Sequence, residues 1–277
     1  MVRLVSHPSS QILLQHALAE ITGLTERWPD RRVILIVPEA SKADVERQYL
    51  ERTQAGGLLM AEVLSFRRLA FRLFAAAGGL AVKRLTSTGR AVLIGKVLLS
   101  GQAQFRRFGR LRQKPGFAVQ LSAMLEEFSR YLVTADALET AADTAGLPRE
   151  KERFADLALL WQQVEAARHE AGFVDSAADT DRLIRLLLDN RDPALAFLSD
   201  TDVYVAGFGE LTPFSGSESA VIRALAERVR QVTVLLPAGP GRSFLHARRS
   251  RLSLQRAVPC EETAMDVQLP ERSPRHE

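Results

Sequence analysis

Residues 32–38, RVILIVP, place five consecutive aliphatic side chains between an arginine and a proline. A strand with one wet face alternates apolar and polar residues. An unbroken run implies a strand covered on both faces, as in a parallel sheet flanked by helices. The flanking sequence agrees. Val2–Ser6 is a short apolar start, His7-Pro8-Ser9-Ser10 is turn chemistry, and Ile12, Leu13, Ala17 and Ile21 give the next segment an apolar helical face. Strand, helix and strand make a βαβ unit, whose strands run parallel.

Further along, 42–54 reads as a helix stopped by Gly56-Gly57, and Leu58–Leu64 as another buried strand. Ser65 is placed to cap a helix carrying Phe66, Leu69, Ala70, Leu73 and Phe74 on one face. From Thr86 to about Leu198 the periodicity is almost wholly helical, with helices expected at 87–100, 116–131, 134–144, 150–171 and 179–189 and breaks at Pro115, Pro148 and Pro193. Strand patterning returns at Asp202–Ala206 and at Val232–Leu236, around a helix at 218–229. The expected organisation is α/β with a parallel sheet at 1–85 and 199–237, a large all-helical subdomain inserted at 86–198, and a mobile Arg-, Ser-, Pro- and Glu-rich tail at 238–277.

Composition excludes several function classes. Hydrophobic content of 46% and charged content of 25% are ordinary for a soluble protein. The start has no apolar core of signal-peptide type, and no segment approaches 18 uninterrupted apolar residues, so a bacterial cytoplasmic location is expected. Cys260 is the sole cysteine and the five histidines are scattered, which leaves no metal-ligand spacing. The carboxylate pairs Glu126-Glu127, Asp179/Asp181 and Glu261-Glu262 have no basic or metal partner nearby in sequence and read as solvated faces, while Trp28 and Trp161 read as packing residues.

Charge is segregated. Residues 63–125 hold twelve Lys/Arg and no Asp or Glu, leaving 25 Lys/Arg against 33 Asp/Glu elsewhere. A concentrated positive field is the footprint of a polyanion partner, and arginine pairs phosphate bidentately. The densest part is FRRFGRLRQK, 105–114, where five cations interleave with two aromatics. Phosphates and bases are both held by such a mixture.

A nucleotide site is poorly provided for. A phosphate-cradling loop needs glycines, a lysine and a Ser/Thr for magnesium. Here the turn after the first strand offers Ser9 and Ser10 beside Pro8, while the first glycine is Gly23 and the first lysine Lys42. At the end of the strand at 202–206 the nearest acid is Glu210, and Asp202 lies at the opposite end. Ser9, Ser10 and Glu210 are therefore read as a vestigial nucleotide site, with helix capping and a surface loop as their simpler roles. No cofactor is expected of the chain.

Seven segments occur in an order that resembles the N-terminal helicase-like region of the AddB subunit of bacterial AddAB ATP-dependent helicase/deoxyribonucleases: VILIVPEASKADVERQYL, AEVLSFRRLAFRLFAAAGG, RLTSTGRAVLIGKVLL, KPGFAVQLSAMLEEFSRYLVT, FADLALLWQQVEAA, FVDSAADTDRLIRLL and DVYVAGFGELTPFSGSESAVIRAL. The resemblance covers about 2–237. It implies a RecA-like P-loop NTPase fold with an inserted helical subdomain, DNA and an AddA-type helicase–nuclease subunit as partners, a role in processing double-strand ends for recombinational repair, and in the whole family ATP with magnesium and an iron–sulfur cluster in a C-terminal nuclease domain. This sequence departs from the pattern. Ile12 and Leu13 stand where the phosphate loop has Lys and Ser/Thr, Ala206 stands where the strand often ends in Asp, and the nuclease domain has no counterpart. The expected function is therefore non-catalytic DNA holding. The alternatives are a protein-docking remnant and a weak ATPase with an irregular phosphate loop.

In the family the SFRRLAFR segment resembles a motif lining the single-strand track, which points to Ser65, Phe66, Arg67, Arg68 and Arg72, although Phe66 lies on the apolar helical face. Arg106, Arg107, Arg110, Arg112 and Lys114 form the second candidate patch. The polar start Thr86-Ser87-Thr88 is read as a helix cap.

Overall fold

The structure is a computed structural model that describes residues 1–53, 61–79, 82–100, 105–189, 192–210 and 213–265. The Gly56-Gly57 stop, the first residues of the strand expected from Leu58, and 266–277 of the expected tail lie outside the described residues. The chain forms two compact units, one of 1–73, 187–214 and 219–277, the other of 74–186 with 215–218.

The first unit is built on six strands: β1 (Val2–His7), β2 (Arg32–Ile36), β3 (Ala61–Leu64), β6 (Thr201–Val205), β7 (Gln231–Pro237) and β8 (Cys260–Ala264). Their order is β3-β2-β6-β7-β1-β8, and every pairing is parallel, with Ile36 opposite Leu64 and Val205 and Val5 opposite Leu235. The aliphatic run at 33–37 is buried along its whole length. Val33, Leu35 and Val37 join the core beneath α1 (Ser10–Arg27) and α2 (Lys42–Arg52), together with Leu13, Ala17, Ile21 and Val45. Ile34 and Ile36 alternate to the other face, and Leu236 of that unit lies near α11 (Leu245–Ala257), as the surroundings of Gly209 show. Each such side chain contributes roughly 1.5–3 kcal/mol on burial, which favours covering the run on both faces.

The unit also contains α3 (Phe66–Ala76), which runs on into the second unit, and α10 (Gly216–Arg228). One expectation is corrected here. The stretch after 237 is ordered through 264: α11 packs on the sheet through the fully buried Leu254 and Ala247, Ser250 Oγ accepts the buried Phe214 N–H at 2.7 Å, and β8 adds an edge strand to β1. Polar composition concealed a narrow apolar stripe and a strand whose side chains are largely exposed.

The second unit is mostly helical: α4 (Ser87–Leu99), α5 (Phe108–Leu111), α6 (Phe117–Arg130), α7 (Ala135–Thr144), α8 (Pro148–Glu170) and α9 (Ser176–Leu188), with β4 (Lys83–Arg84) and β5 (Phe173–Val174) forming a small parallel pair. Its core joins Ile94, Phe108, Leu121, Leu125, Leu138, Leu157, Leu160 and Val164. Caps follow the local sequence. Thr86 Oγ1 accepts from Gly89 N at 3.0 Å, Thr134 Oγ1 from Ala137 N at 3.2 Å, and Pro148 opens α8, where its missing N–H costs nothing.

Candidate nucleic-acid interface

In the first unit the turns after β1, β2, β3 and β6 leave the same edge of the sheet, because all the strands are parallel. Ser65 ends β3 and caps α3, its Oγ accepting from Arg68 N at 3.3 Å while donating to the Glu39 carboxylate. Glu39 follows Pro38 after β2. It also receives Arg68 Nε at 2.9 Å and Arg67 at 3.5 Å. The Ser65 hydrogen bond first, then the Arg68 and Arg67 guanidinium groups, hold Glu39 below the ordinary glutamate range against the opposing cost of burial. Arg72 pairs with Glu62 of β3 at 3.2 Å and lies over the Phe197 ring at 5.9 Å. Most of the first patch is thus already matched by carboxylates. Arg67, with 82% of its side chain exposed, is the freest.

Leu69 is fully buried and Phe66 half-buried, its ring 5.6 Å from Phe208, which in turn meets Phe214 at 5.2 Å. Gly207 makes this possible. Its φ of +81° reverses the chain after Ala206, and a Cβ there would lie 3.2 Å from Pro38 Cδ.

The turn after β1 does not fit a nucleoside triphosphate. Ser9 Oγ caps α1 by accepting from Ile12 N at 3.3 Å, Ser9 N donates to His7 Nδ1, and Leu13 is buried in the core. Ser10 Oγ is buried without a hydrogen-bond partner, but no cation reaches it from the positions where a phosphate loop carries Lys and Ser/Thr. Glu210 is exposed. A thiolate-bound iron–sulfur cluster is equally unsuited to a chain whose one cysteine, Cys260, lies in β8.

In the second unit the dense cluster is held by a residue that sequence reasoning missed. Asp156, buried on α8, accepts three consecutive backbone N–H groups: Arg106 at 2.9 Å, Arg107 at 2.7 Å and Phe108 at 2.9 Å. They are the donors that a short helix such as α5 leaves unpaired at its start. Asp156 lies 48–50 residues away in sequence, so no local signal announces it. The side chains of Arg106, Arg107, Arg110, Arg112 and Lys114 are exposed, and none forms an ion pair with an acid among the described residues; Arg107 donates to the Arg149 carbonyl at 3.3 Å. The aromatics do not join them at the surface. Phe108 is buried, with Phe117 edge-on at 5.3 Å and Phe105 stacked at 6.3 Å. The patch therefore presents cations without stacking rings. The acid-free stretch is compensated in three dimensions at Arg67, Arg68, Arg72, Arg84 and Arg90, and stays uncompensated at 106–114.

Among the described residues no helix is long and apolar enough to cross a membrane. A family profile described as "ADDB, N-terminal" matches residues 14–252. Two curated relatives are both named as the B-subunit of an ATP-dependent helicase/deoxyribonuclease. The protein of Desulfitobacterium hafniense is 32% identical over 208 residues, 75% of this chain and 16% of the relative. That of Geobacillus kaustophilus is 29% identical over 220 residues, 77% of this chain and 18% of the relative. The chain thus spans less than a fifth of the length of these relatives. An aliphatic strand run that founds a parallel sheet, a helical unit entered after β3 and a profile match over most of its length together place this chain in the AddB N-terminal family.

Proposed function

We propose that the chain is a non-catalytic, DNA-holding helicase-like module of an AddB-type subunit, with a RecA-like first unit and an inserted helical second unit, acting beside an AddA-type helicase–nuclease in the repair of double-strand breaks in the bacterial cytoplasm. The observation that carries this reading is the loop at 106–114. Five exposed cations stand without acidic partners among the described residues, on a backbone pinned by a buried carboxylate. A pre-ordered row of cations contacts phosphates without side-chain readout of base edges, so binding is insensitive to sequence and falls steeply with salt. Ser65, Phe66, Arg67, Arg68 and Arg72 form a second, weaker contact, because phosphate must compete there with Glu39 and Glu62.

Fluorescence anisotropy with single- and double-stranded oligonucleotides, at about 50 and 200 mM salt, tests the reading, since a few phosphate contacts change affinity by orders of magnitude over that range. Binding at the lower salt that weakens at the higher supports it. Absence of binding at the lower salt refutes it. Saturable ATP binding in a parallel titration would overturn the non-catalytic assignment.

A further inference from the structure

The opposite edge of the sheet in the first unit holds an open, solvent-facing depression of about 670 Å³ that the proposed function does not use. Asp202, near the start of β6 and buried, lines it together with Arg3, Arg27, Arg31 and Arg230. Two acids balance part of this charge. Glu20 pairs with Arg3, whose Nε also donates to Thr233 Oγ1 at 3.2 Å. Asp202 is shared by Arg31 Nε and Arg230 Nε, each at 3.7 Å. These are ion-pair distances and too long for direct hydrogen bonds. The side chains of Arg27, Arg31 and Arg230 donate no hydrogen bond to any described residue, and Asp202 Oδ2 is buried without one. Arg27 lies over the Trp28 ring, 5.7 Å away, and Arg31 shares that ring at 5.3 Å.

Four guanidinium groups against two carboxylates leave an excess of two positive charges around a concave volume of ligand size. A buried aspartate in ion-pair range of two arginines, whose remaining N–H groups donate to no described residue, leaves guanidinium donors available to a planar or tetrahedral oxyanion. We propose that this cavity binds a multiply charged phosphate group, as carried by a free oligophosphate or by a nucleic-acid backbone, and that Arg27 and Arg230 are its principal contacts while Asp202 positions Arg31 and Arg230. This site is independent of the turns after β1, β2, β3 and β6, which leave the other edge of the sheet.

The test uses the full chain and inorganic pyrophosphate. Trp161→Phe leaves Trp28 as the one indole, because the chain has two tryptophans. Its fluorescence reports displacement of Arg27 and Arg31, and calorimetry on the unaltered chain reads the same binding without that substitution. Saturable one-site binding of pyrophosphate, with none of acetate at matched ionic strength, is expected. Arg27→Ala with Arg230→Ala should weaken it at least tenfold, whereas Arg47→Ala with Arg256→Ala, which removes equal charge from exposed positions elsewhere, should change it less than twofold. If pyrophosphate does not bind but a short oligonucleotide loses at least tenfold affinity in the Arg27/Arg230 variant alone, the ligand is the backbone phosphate. No pyrophosphate binding together with unchanged oligonucleotide affinity, or equal losses in both double variants, overturns the site. DNA binding lost through the 106–114 loop leaves the pyrophosphate result untouched, so the two proposals fail separately.

Discussion

Glu39 and Asp156 do opposite things to their arginines. Glu39 neutralises side chains: its carboxylate gathers Ser65, Arg67 and Arg68 across 26–29 residues of sequence. Asp156 binds backbone N–H groups and leaves the neighbouring guanidinium groups exposed and without an acidic partner among the described residues, Arg107 donating to the Arg149 carbonyl. Because the Glu39 carboxyl is held below the usual glutamate value when folded, its network stabilises the protein above the unfolded pKa near 4.5 and loses that contribution as pH falls through the lower folded value. Urea melts between pH 7 and pH 3 should therefore show a shallower acid limb in Glu39→Gln than in the parent; an identical limb would exclude Glu39 from the acid response. The same substitution removes the competitor for phosphate, and DNA affinity should rise about two- to fivefold, on the order of one exposed ion pair. At Asp156 the change to Ala strands three buried or half-buried donors at a helix start. It should cost roughly 2–4 kcal/mol in chemical denaturation, with Asn recovering only part because it offers one acceptor oxygen.

Elements add what single residues do not. The loop from Arg106 to Lys114 acts as one cationic row, since its anchor lies beneath it and its rings face the core. Arg106→Glu, Arg107→Glu and Arg110→Glu together should lower the slope of log affinity against log salt by about 2–3, while each alone changes stability by less than about 0.5 kcal/mol; anisotropy and melting measure the two. An unchanged slope would move the DNA contact away from this loop. α11 makes the contrasting case. It is rich in arginine, yet it is anchored by small buried contacts, Leu254 and Ala247 in the core and Ser250 to Phe214. Leu254→Ala should cost roughly 2–4 kcal/mol by urea denaturation, a loss that a disordered segment would not show.

At the scale of the whole molecule, each unit's fold was legible wherever a period was strong. The aliphatic run at 33–37, the Ser9 cap, the Thr86 cap and most of the long helical stretch follow from local chemistry and appear close to where the sequence puts them, although α9 starts three residues before 179 and α5 was not foreseen. The segment 242–264 was not legible, because an amphipathic helix dominated by arginine and an edge strand of exposed side chains bury too few residues to leave a pattern. The candidate sites divide the same way. Which residues are cationic was plain from 63–125, but whether each cation is paired depends on acids contributed by other elements: Glu39 and Glu62 in the first unit, Glu126 and Asp179 in the second. The sequence by itself determined the parallel α/β plan, the mostly helical stretch after β3 and the positive excess, since burial periodicity and charge are properties of neighbours along the chain. Only the tertiary structure decided where that excess survives, because Coulombic compensation acts through a few ångströms of space, and the fold brings carboxylates from 10 to 29 residues away to cancel one patch while no described acid reaches the other.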